Sequence, residues 1–377
     1  MEQKKLGFGL MRLPLKDSRD QTSVDMEQLK KMVDAFLENG FTYFDTAYMY
    51  HDGVSETAIG EALAPRHPRD SFTLATKMPL MIIRTEADQE RIFKEQLVKC
   101  KVDHFDYYMA HNVCNLFYPI AQKLKTFEFM QRMKDEGKIR KIGFSFHDDA
   151  ELLEKVLNDH PEVDFVQLQI NYVDWDSAAI QSHKCYDIAV KHGKEVIVME
   201  PVKGGMLAKV PADVSKIFRE YEPGLSDVSW AIRFAASHDG VGIVLSGMSE
   251  IDQLMDNMSY MKDFEPMNDK EKDVALRAAS IINGTIAIPC TNCRYCVKSC
   301  PRDVAIPEYF SLYNTDVLAN PAGFSIQSAY YLNLTKVHGK ASDCIACGNC
   351  ENECPQHIKI IDMLKDVVER FESNPPF

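Results

Sequence analysis

The chain has 377 residues, 45% hydrophobic and 26% charged, the profile of a globular protein with room for one large domain and one small one. Its net charge of −13 excludes a general nucleic-acid binder, which presents a basic face. No stretch reaches the roughly 18 uninterrupted apolar residues of a bilayer span, and MEQKKLGFGL lacks the apolar run of a secretory signal, so the sequence reads as cytoplasmic and without membrane association.

Short β-rich runs alternate with amphipathic helical patterns over the first 265 residues. The predicted strands are 5–10, 41–46, 72–77, 105–111, 140–145, 164–170, 195–200 and 241–246. Between them, 25–39, 87–101, 119–136, 178–192 and 226–237 carry helical apolar spacing, and pairs such as Asn39-Gly40 and His192-Gly193 end helices. Strict alternation of strand and helix implies a parallel sheet, and eight units in this length fit a (β/α)8 TIM barrel. A doubly wound dinucleotide fold would need G-x-G-x-x-G after its first strand. Gly7-Phe8-Gly9-Leu10-Met11-Arg12 lacks the third glycine, and no Walker A loop is present. We therefore divide the α/β chain into a barrel (1–265), a connecting helix or linker (266–288) and a small, largely helical domain (289–377).

Enzymatic barrels place their chemistry at the C-terminal ends of the strands. Reading those ends in order gives Asp45, with Tyr50 in the loop behind it, then Lys77, then His111. The run Phe44-Asp45-Thr46-Ala47-Tyr48-Met49-Tyr50, continued by Gly53-Val54-Ser55-Glu56, resembles the DTA-x-x-Y…G-x-SE signature of the aldo-keto reductase superfamily. Lys77 and His111 fall where that family has its lysine and histidine, and the likeness extends over residues 5–260. The resemblance implies NAD(P)(H)-dependent interconversion of a carbonyl and an alcohol. Reducing a carbonyl by hydride leaves charge on oxygen, to which a proton must be delivered. A tyrosine is too weak an acid at its usual pKa near 10 unless a neighbouring cation favours its phenolate. Tyr50 is thus assigned as general acid/base, Lys77 as its activator, Asp45 as the anion that keeps Lys77 charged, and His111 as a hydrogen-bond donor to the substrate oxygen.

By the same resemblance, Ser145 and Gln167 correspond to residues that hold the nicotinamide carboxamide, although Phe146 and His147 stand where an asparagine usually follows that serine. The segment Ser246-Gly247-Met248-Ser249, with Gln253 and Asn257 behind it, resembles the part that binds the adenosine half. Met248 and Gln253 replace the basic residues of many NADP-specific members, which favours NAD or relaxed coenzyme choice, with Lys203 an alternative basic partner. His51 and Asp52 read as exposed loop residues or as residues shaping the pocket, Trp175 as a pocket wall or a packing residue, and Cys114 as a residue beside the pocket or, like Cys100 and Cys185, a buried one.

Eight of the eleven cysteines form two runs, Cys290-x2-Cys293-x2-Cys296-x3-Cys300-Pro301 and Cys344-x2-Cys347-x2-Cys350-x3-Cys354-Pro355, the second lying 54 residues after the first. Such crowding without an export signal points to metal ligation rather than disulfides, and thiolates suit iron–sulfur clusters or zinc. Zinc ribbons normally use pairs of cysteines. The spacing resembles that of bacterial two-cluster ferredoxins, in which the fourth cysteine ligates the other cluster. This implies two [4Fe-4S] clusters, one on Cys290, Cys293, Cys296 and Cys354, the other on Cys344, Cys347, Cys350 and Cys300. The insert between the runs contains predicted helices at 307–318 and 325–336, which read as a cover for the clusters, a docking surface or a plain structural insertion. Barrel and repeat together resemble the iron–sulfur-containing branch of the superfamily.

Hydride transfer moves two electrons while each cluster exchanges one. A flavin is the usual converter, and no sequence feature indicates one. Three readings stay open: a reductase wired by its clusters to a ferredoxin or flavodoxin partner, an independent carbonyl reductase with a redox-sensing or structural iron–sulfur domain, or an electron carrier with a degenerate regulatory barrel.

Overall fold

A computed structural model of the chain describes residues 4–177, 179–284, 287–288, 290, 294–319, 325–354 and 358–373. Eight parallel strands, β1 (Leu6–Gly9), β2 (Tyr43–Asp45), β3 (Thr73–Pro79), β4 (Phe105–Val113), β5 (Ile139–Phe146), β6 (Phe165–Gln169), β7 (Glu195–Met199) and β8 (Val241–Gly247), pair in sequence order and close into a barrel through β8 and β1. Each strand lies where its apolar run predicts it. The helix Met26–Glu38 shows why the outer ring forms: Asp25 accepts from the Glu27 and Gln28 amides at 3.1 Å, and Leu29, Met32, Val33 and Phe36 turn one apolar stripe onto the barrel. Its end is set by Gly40, whose φ of +79° is costly for any residue with a side chain.

One predicted helix is two. Residues 119–136 divide into Tyr118–Lys123 and Thr126–Asp135 around Lys125, at φ +52°, and the freed Leu124 carbonyl accepts from Gln89 Nε2 at 2.8 Å. A buried side-chain partner thus compensates the break, which apolar periodicity alone does not reveal.

The barrel interior explains how the strand ends become a site. Tyr43, Ala75, Tyr107, Met109, Phe165, Ile197, Ile243 and Leu245 pack together as a separate apolar cluster inside the cylinder. Side chains alternate across a strand, so residues two positions further on face the same interior at the top. From Tyr43 that step leads to Asp45, from Ala75 to Lys77, from Met109 to His111, and from Phe165 to Gln167. On β5 the same step leads from Gly143 to Ser145, which pairs in register with Gln167. An ideal Cβ at Gly143 would stand 2.3 Å from the Phe165 carbonyl oxygen, so only glycine lets β5 and β6 approach here.

After β8, helix Asp269–Gly284 packs against helices Ala212–Tyr221 and Asp227–Ala236, with Ala275, Ala278, Ala279 and Ile282 in the barrel's outer core. The insert between the cysteine runs forms helices Ile306–Ala319 and Ile326–Val337, as its periodicity predicts. The first of these packs against the second and against the final helix Ile360–Phe371. Tyr309, Phe310, Tyr331, Leu364, Val367 and Phe371 make a second core, to which Ala179 and Ile180 of the loop after β6 also belong. The small module is therefore seated on the rim formed by the C-terminal ends of the strands. Among the described residues no helix is long and apolar enough to cross a membrane.

Gly143→Ala is expected to destabilise the protein by about 1–3 kcal/mol, because its contact is with backbone that cannot step aside, as chemical denaturation would measure.

Candidate active site

Lys77 is wholly buried, and an isolated buried ammonium is prohibitively costly. Asp45 supplies the counter-charge through a direct ion pair, and the Thr46 carbonyl accepts a second hydrogen bond from Nζ at 2.7 Å. Burial alone would lower the Lys77 pKa. Asp45 and Tyr50 overcome that effect and raise it above the usual lysine value, keeping the ammonium charged. Burial pushes the Asp45 carboxyl up, with Lys77 opposing. The second Asp45 oxygen accepts from Gln167 Nε2 at 3.3 Å, which ties a residue expected to hold the coenzyme to the ion pair.

Behind the pair, Gln96 donates to the Lys77 carbonyl at 2.9 Å and to Glu56 at 2.7 Å, while Thr76 also donates to Glu56 at 2.7 Å. Glu56 is fully buried and its pKa is raised by burial. This network, reached from the signature segment, fixes the backbone from which Lys77 projects.

Tyr50 lies half-buried above them, with Lys77 Nζ 4.8 Å from the centre of its ring. Burial holds its phenol above the ordinary tyrosine pKa, with the Lys77 charge the largest opposing influence. The His111 ring stands edge-on to Tyr50, centroids 6.0 Å apart. Burial, then the charge of Lys77, drives the His111 pKa well below its usual value, so the imidazole is neutral. The four residues read from three strand ends thus meet at one point.

His51 departs from the sequence reading, which placed it in an exposed loop. It is buried, its Nε2 accepts from the Leu13 amide at 3.0 Å, and its Nδ1 lies 3.1 Å from the Gln21 carbonyl. Left-handed backbone at His51 (φ +51°) and Asp52 (φ +52°) turns the ring back under the loop that follows β1. The neighbour of Tyr50 is therefore a clasp between two loops, whereas Asp52 is exposed as expected. Trp175 is a packing residue, stacked between His183 and His238 at 4.4 and 4.2 Å. Cys100, Cys114 and Cys185 are all buried.

Among the residues expected at the coenzyme, Ser145 Oγ accepts from the Asn112 amide at 2.8 Å and Ser246 Oγ accepts from Asn257 Nδ2 at 2.8 Å. Gln253 folds back to accept from the Ser249 amide at 2.8 Å and the Glu250 amide at 3.2 Å. Ser246, Asn257 and Gln253 thus shape the Ser246–Ser249 loop, with Gly247 exposed. Lys203 is buried in an ion pair with Asp174, so it is not free to meet a phosphate. Arg12 is a basic group that sequence reasoning missed. Its side chain runs along Gly247, where an added Cβ would stand 3.1 Å from it, and its exposed guanidinium reaches towards Gly204. The available signal was its place just beyond β1, on the same rim as the tetrad.

In the small module, Cys300 of the first run and Cys344, Cys347 and Cys350 of the second line one cavity, walled by Val304, Ile306, Ile361 and Leu364. This is the interleaved set that the ferredoxin spacing implies. The Cys350 thiol is pushed up to about 11 by burial and then by the charges of Cys344 and Cys300. Among the described residues no three His, Cys, Asp or Glu side chains converge tightly enough to ligate a single metal ion. Four thiolates around a wider, apolar-walled cavity suit a multi-iron group, each sulfur meeting its own iron. The Val304 amide donates to Cys300 Sγ at 3.4 Å, a contact that would stabilise a charged sulfur. Cys296 and Cys354 are buried and Cys290 is half-buried, at the edge of the same core, while Cys293 lies outside the described residues.

Comparison with known proteins agrees with this geometry. The model of the Aldo/keto reductase family matches residues 5–273, and that of the 4Fe-4S dicluster domain matches residues 289–359. An uncharacterized oxidoreductase of Bacillus subtilis is 23% identical over 60% of this chain and 80% of its own length. The NADH-specific methylglyoxal reductase of Escherichia coli is 28% identical over 51% of this chain, a match that spans only 61% of that relative. An aldo-keto reductase structure from Bacillus halodurans, in its holo form, superposes with a TM-score of 0.58 at 25% identity, covering 73% of this chain and 91% of the other. One from Klebsiella pneumoniae in complex with NADPH does so at 0.59 and 20% identity, covering 74% and 95%. The closed barrel, the polar cluster at its mouth and the matched family model lead to one conclusion: the chain belongs to the aldo/keto reductase family and carries a 4Fe-4S dicluster domain at its C-terminal end.

Proposed function

We propose that the barrel interconverts a carbonyl and an alcohol with NAD(P)(H), and that two [4Fe-4S] clusters in the small module exchange electrons with a ferredoxin or flavodoxin partner. The observation that carries the first half is the buried Asp45–Lys77 pair in contact with Tyr50, beside a neutral His111. When bound, the coenzyme supplies the hydride. His111 then donates a hydrogen bond to the carbonyl oxygen, orienting it and stabilising the charge that grows there. Tyr50, kept protonated by burial, passes its hydroxyl proton to that oxygen as hydride reaches the carbon, which yields the alcohol. Lys77, held charged by Asp45, stabilises the phenolate left behind until solvent reprotonates it. Alcohol oxidation runs through the same groups in reverse.

Ser145, Gln167 and the Ser246–Ser249 loop, backed by Gln253 and Asn257, would hold the coenzyme, with Arg12 as the cation for its phosphates. NADH is the favoured form, since Gln253 is occupied by backbone amides and Lys203 by Asp174. The cavity of Cys300, Cys344, Cys347 and Cys350 supports one cluster, and the second would rest on Cys290, Cys293, Cys296 and Cys354. A structural role for the module is a second reading, favoured by its seating on the rim. NADH separates the two, because only the wired enzyme lets coenzyme and clusters exchange electrons.

Anaerobically purified protein is expected to hold about eight irons with matching sulfide, and its cluster absorbance to bleach on addition of NADH. Iron without bleaching by either coenzyme would leave the structural role. Tyr50→Phe should lower kcat for carbonyl reduction by at least about 100-fold with iron content unchanged, and an unaltered rate would remove Tyr50 as the proton donor.

Stability should also depend on pH. His111 sits well below the ordinary histidine pKa of 6.5, and burial followed by the Lys77 charge takes His147 down to about 4. Below about pH 6.5 the unfolded chain therefore binds protons that the folded chain refuses, so stability is present at neutral pH and is lost as pH falls towards 4. Denaturant melts between pH 7 and 4.5 should show this slope, reduced by about one proton in His147→Asn.

A further inference from the structure

Two strand ends rise above the barrel wall beside the tetrad. The pairing of β3 with β4 stops at Pro79 and His111, and that of β5 with β6 stops at Ser145 and Gln167. Beyond those points β4 and β5 pair only with each other, and a two-stranded ribbon is marginal on its own. The ribbon also carries a bulge. Ala110 pairs with Phe144 and Val113 with Phe146, so β4 takes three steps where β5 takes two, and Asn112 adopts φ +65°. A bulge bends its strand and re-aims the side chains around it, and His111 lies inside this one.

Hydrogen bonds tie the two ends together. The Asn112 amide donates to Ser145 Oγ at 2.8 Å, the His147 amide to the Val113 carbonyl at 3.1 Å, and the Asn115 amide to Asp148 Oδ2 at 2.7 Å. Val113 and Phe146 also pack into the barrel core, but apolar packing is non-directional and does not by itself aim a side chain. A tie from outside the barrel comes from the iron–sulfur module. Asn333, 4% exposed on helix Ile326–Val337, donates from Nδ2 to the His147 carbonyl at 2.8 Å. One turn earlier on that helix, the buried Tyr330 sets its ring 6.1 Å from the His147 imidazole. The helix is itself pinned just beyond its end. The Gly339 amide donates to the Asp303 carbonyl at 3.1 Å, and the Tyr309 hydroxyl donates to the Gly339 carbonyl at 2.8 Å. A side chain on a braced helix thus holds one end of the ribbon, and the strand beside it carries His111.

We propose that Asn333 is a positioning residue of the reduction site: by fixing the His147 carbonyl it sets the bulged corner and the aim of His111. This inference rests on the assignment of Tyr50, Lys77 and His111 as that site, and it makes the iron–sulfur module part of the site's frame. Misplacing a reacting or orienting group by an ångström costs about 100-fold in rate, so one buried amide remote from the chemistry can govern it.

The test uses full-length, anaerobically purified protein and its Asn333→Leu, Asn333→Ser and Asn333→Gln variants, with propanal, benzaldehyde and methylglyoxal as carbonyl probes. Asn333→Leu removes the donor at similar size, and Asn333→Ser is too short to reach the carbonyl. Both should lower kcat by at least about tenfold with iron content unchanged. The coenzyme KM should stay where it is, because Ser145 keeps its register with Gln167. Asn333→Gln, which retains an amide donor, should restore part of the rate. Hydrogen exchange should find the Asn112 and His147 amides protected in the wild type and faster in both variants that lack the donor. A lowered unfolding midpoint with kcat unchanged would reduce Asn333 to a structural partner of a buried carbonyl and overturn the proposal. So would loss of iron from both variants, which would confine its role to the module, or a wild-type His147 amide that exchanges like an exposed loop. If wild-type protein reduces none of the three probes with NADH or NADPH, the reduction-site assignment falls and the proposal with it. An unmoved kcat in an active series sinks the proposal alone.

Discussion

A charged ammonium buried at the centre of a protein has to be neutralised where it lies, and that requirement organises the barrel mouth. Lys77 has no exposure, so Asp45 and the Thr46 carbonyl must be held within hydrogen-bond reach of it. Pairing of β2 with β3 puts them there, and the Glu56–Thr76–Gln96 network stiffens β3 from behind. The field of the retained charge then reaches further. It opposes burial at Tyr50 and joins burial at His111 and His147 in keeping both imidazoles neutral. Burial therefore sets the protonation states at the mouth, an acid that keeps its proton and two bases that refuse one, with the cation opposing burial at Tyr50 and reinforcing it at the imidazoles.

The small module solves the opposite problem. Burial, then the charges of Cys344 and Cys300, push the Cys350 thiol up to about 11. The thiols are brought together from two runs, whose nearest cysteines Cys300 and Cys344 are 44 residues apart, by a core of tyrosine, phenylalanine and isoleucine side chains. Sulfur donors in a largely apolar setting suit soft-metal groups such as iron–sulfur clusters better than hard ions.

Much of this was legible in the residues. The strand positions follow from apolar runs bounded by turns, and Asp45, Tyr50, Lys77 and His111 follow from reading where those runs end. The interleaving of Cys300 with Cys344, Cys347 and Cys350 is what the resemblance to two-cluster ferredoxins implies. What stayed hidden depends on contacts between segments distant in sequence. Nothing local distinguishes the clasp of His51 on Leu13 and Gln21 from a solvated loop histidine. Lys203 looks like a free loop cation until Asp174 is seen against it. The break at Lys125 depends on Gln89 of a neighbouring helix. His147 was noticed only as a departure from a family pattern, because its partners lie nearly two hundred residues away in the other module.

The seating of the small module has a consequence for how the two parts can be inherited. Ala179 and Ile180 belong to the barrel chain but are at most 6% exposed because they sit in the module's core. Helix Ile306–Ala319 likewise lies against the turn Lys203–Ala208, beside the Asp174 pair. A barrel shorn of its tail would present this apolar seam to other molecules, inviting self-association, and would release the segment that carries His147. The tail is accordingly no detachable appendage. The joint between barrel and iron–sulfur module has become part of the barrel's mouth, and substitutions on either side of it must be accommodated by the other.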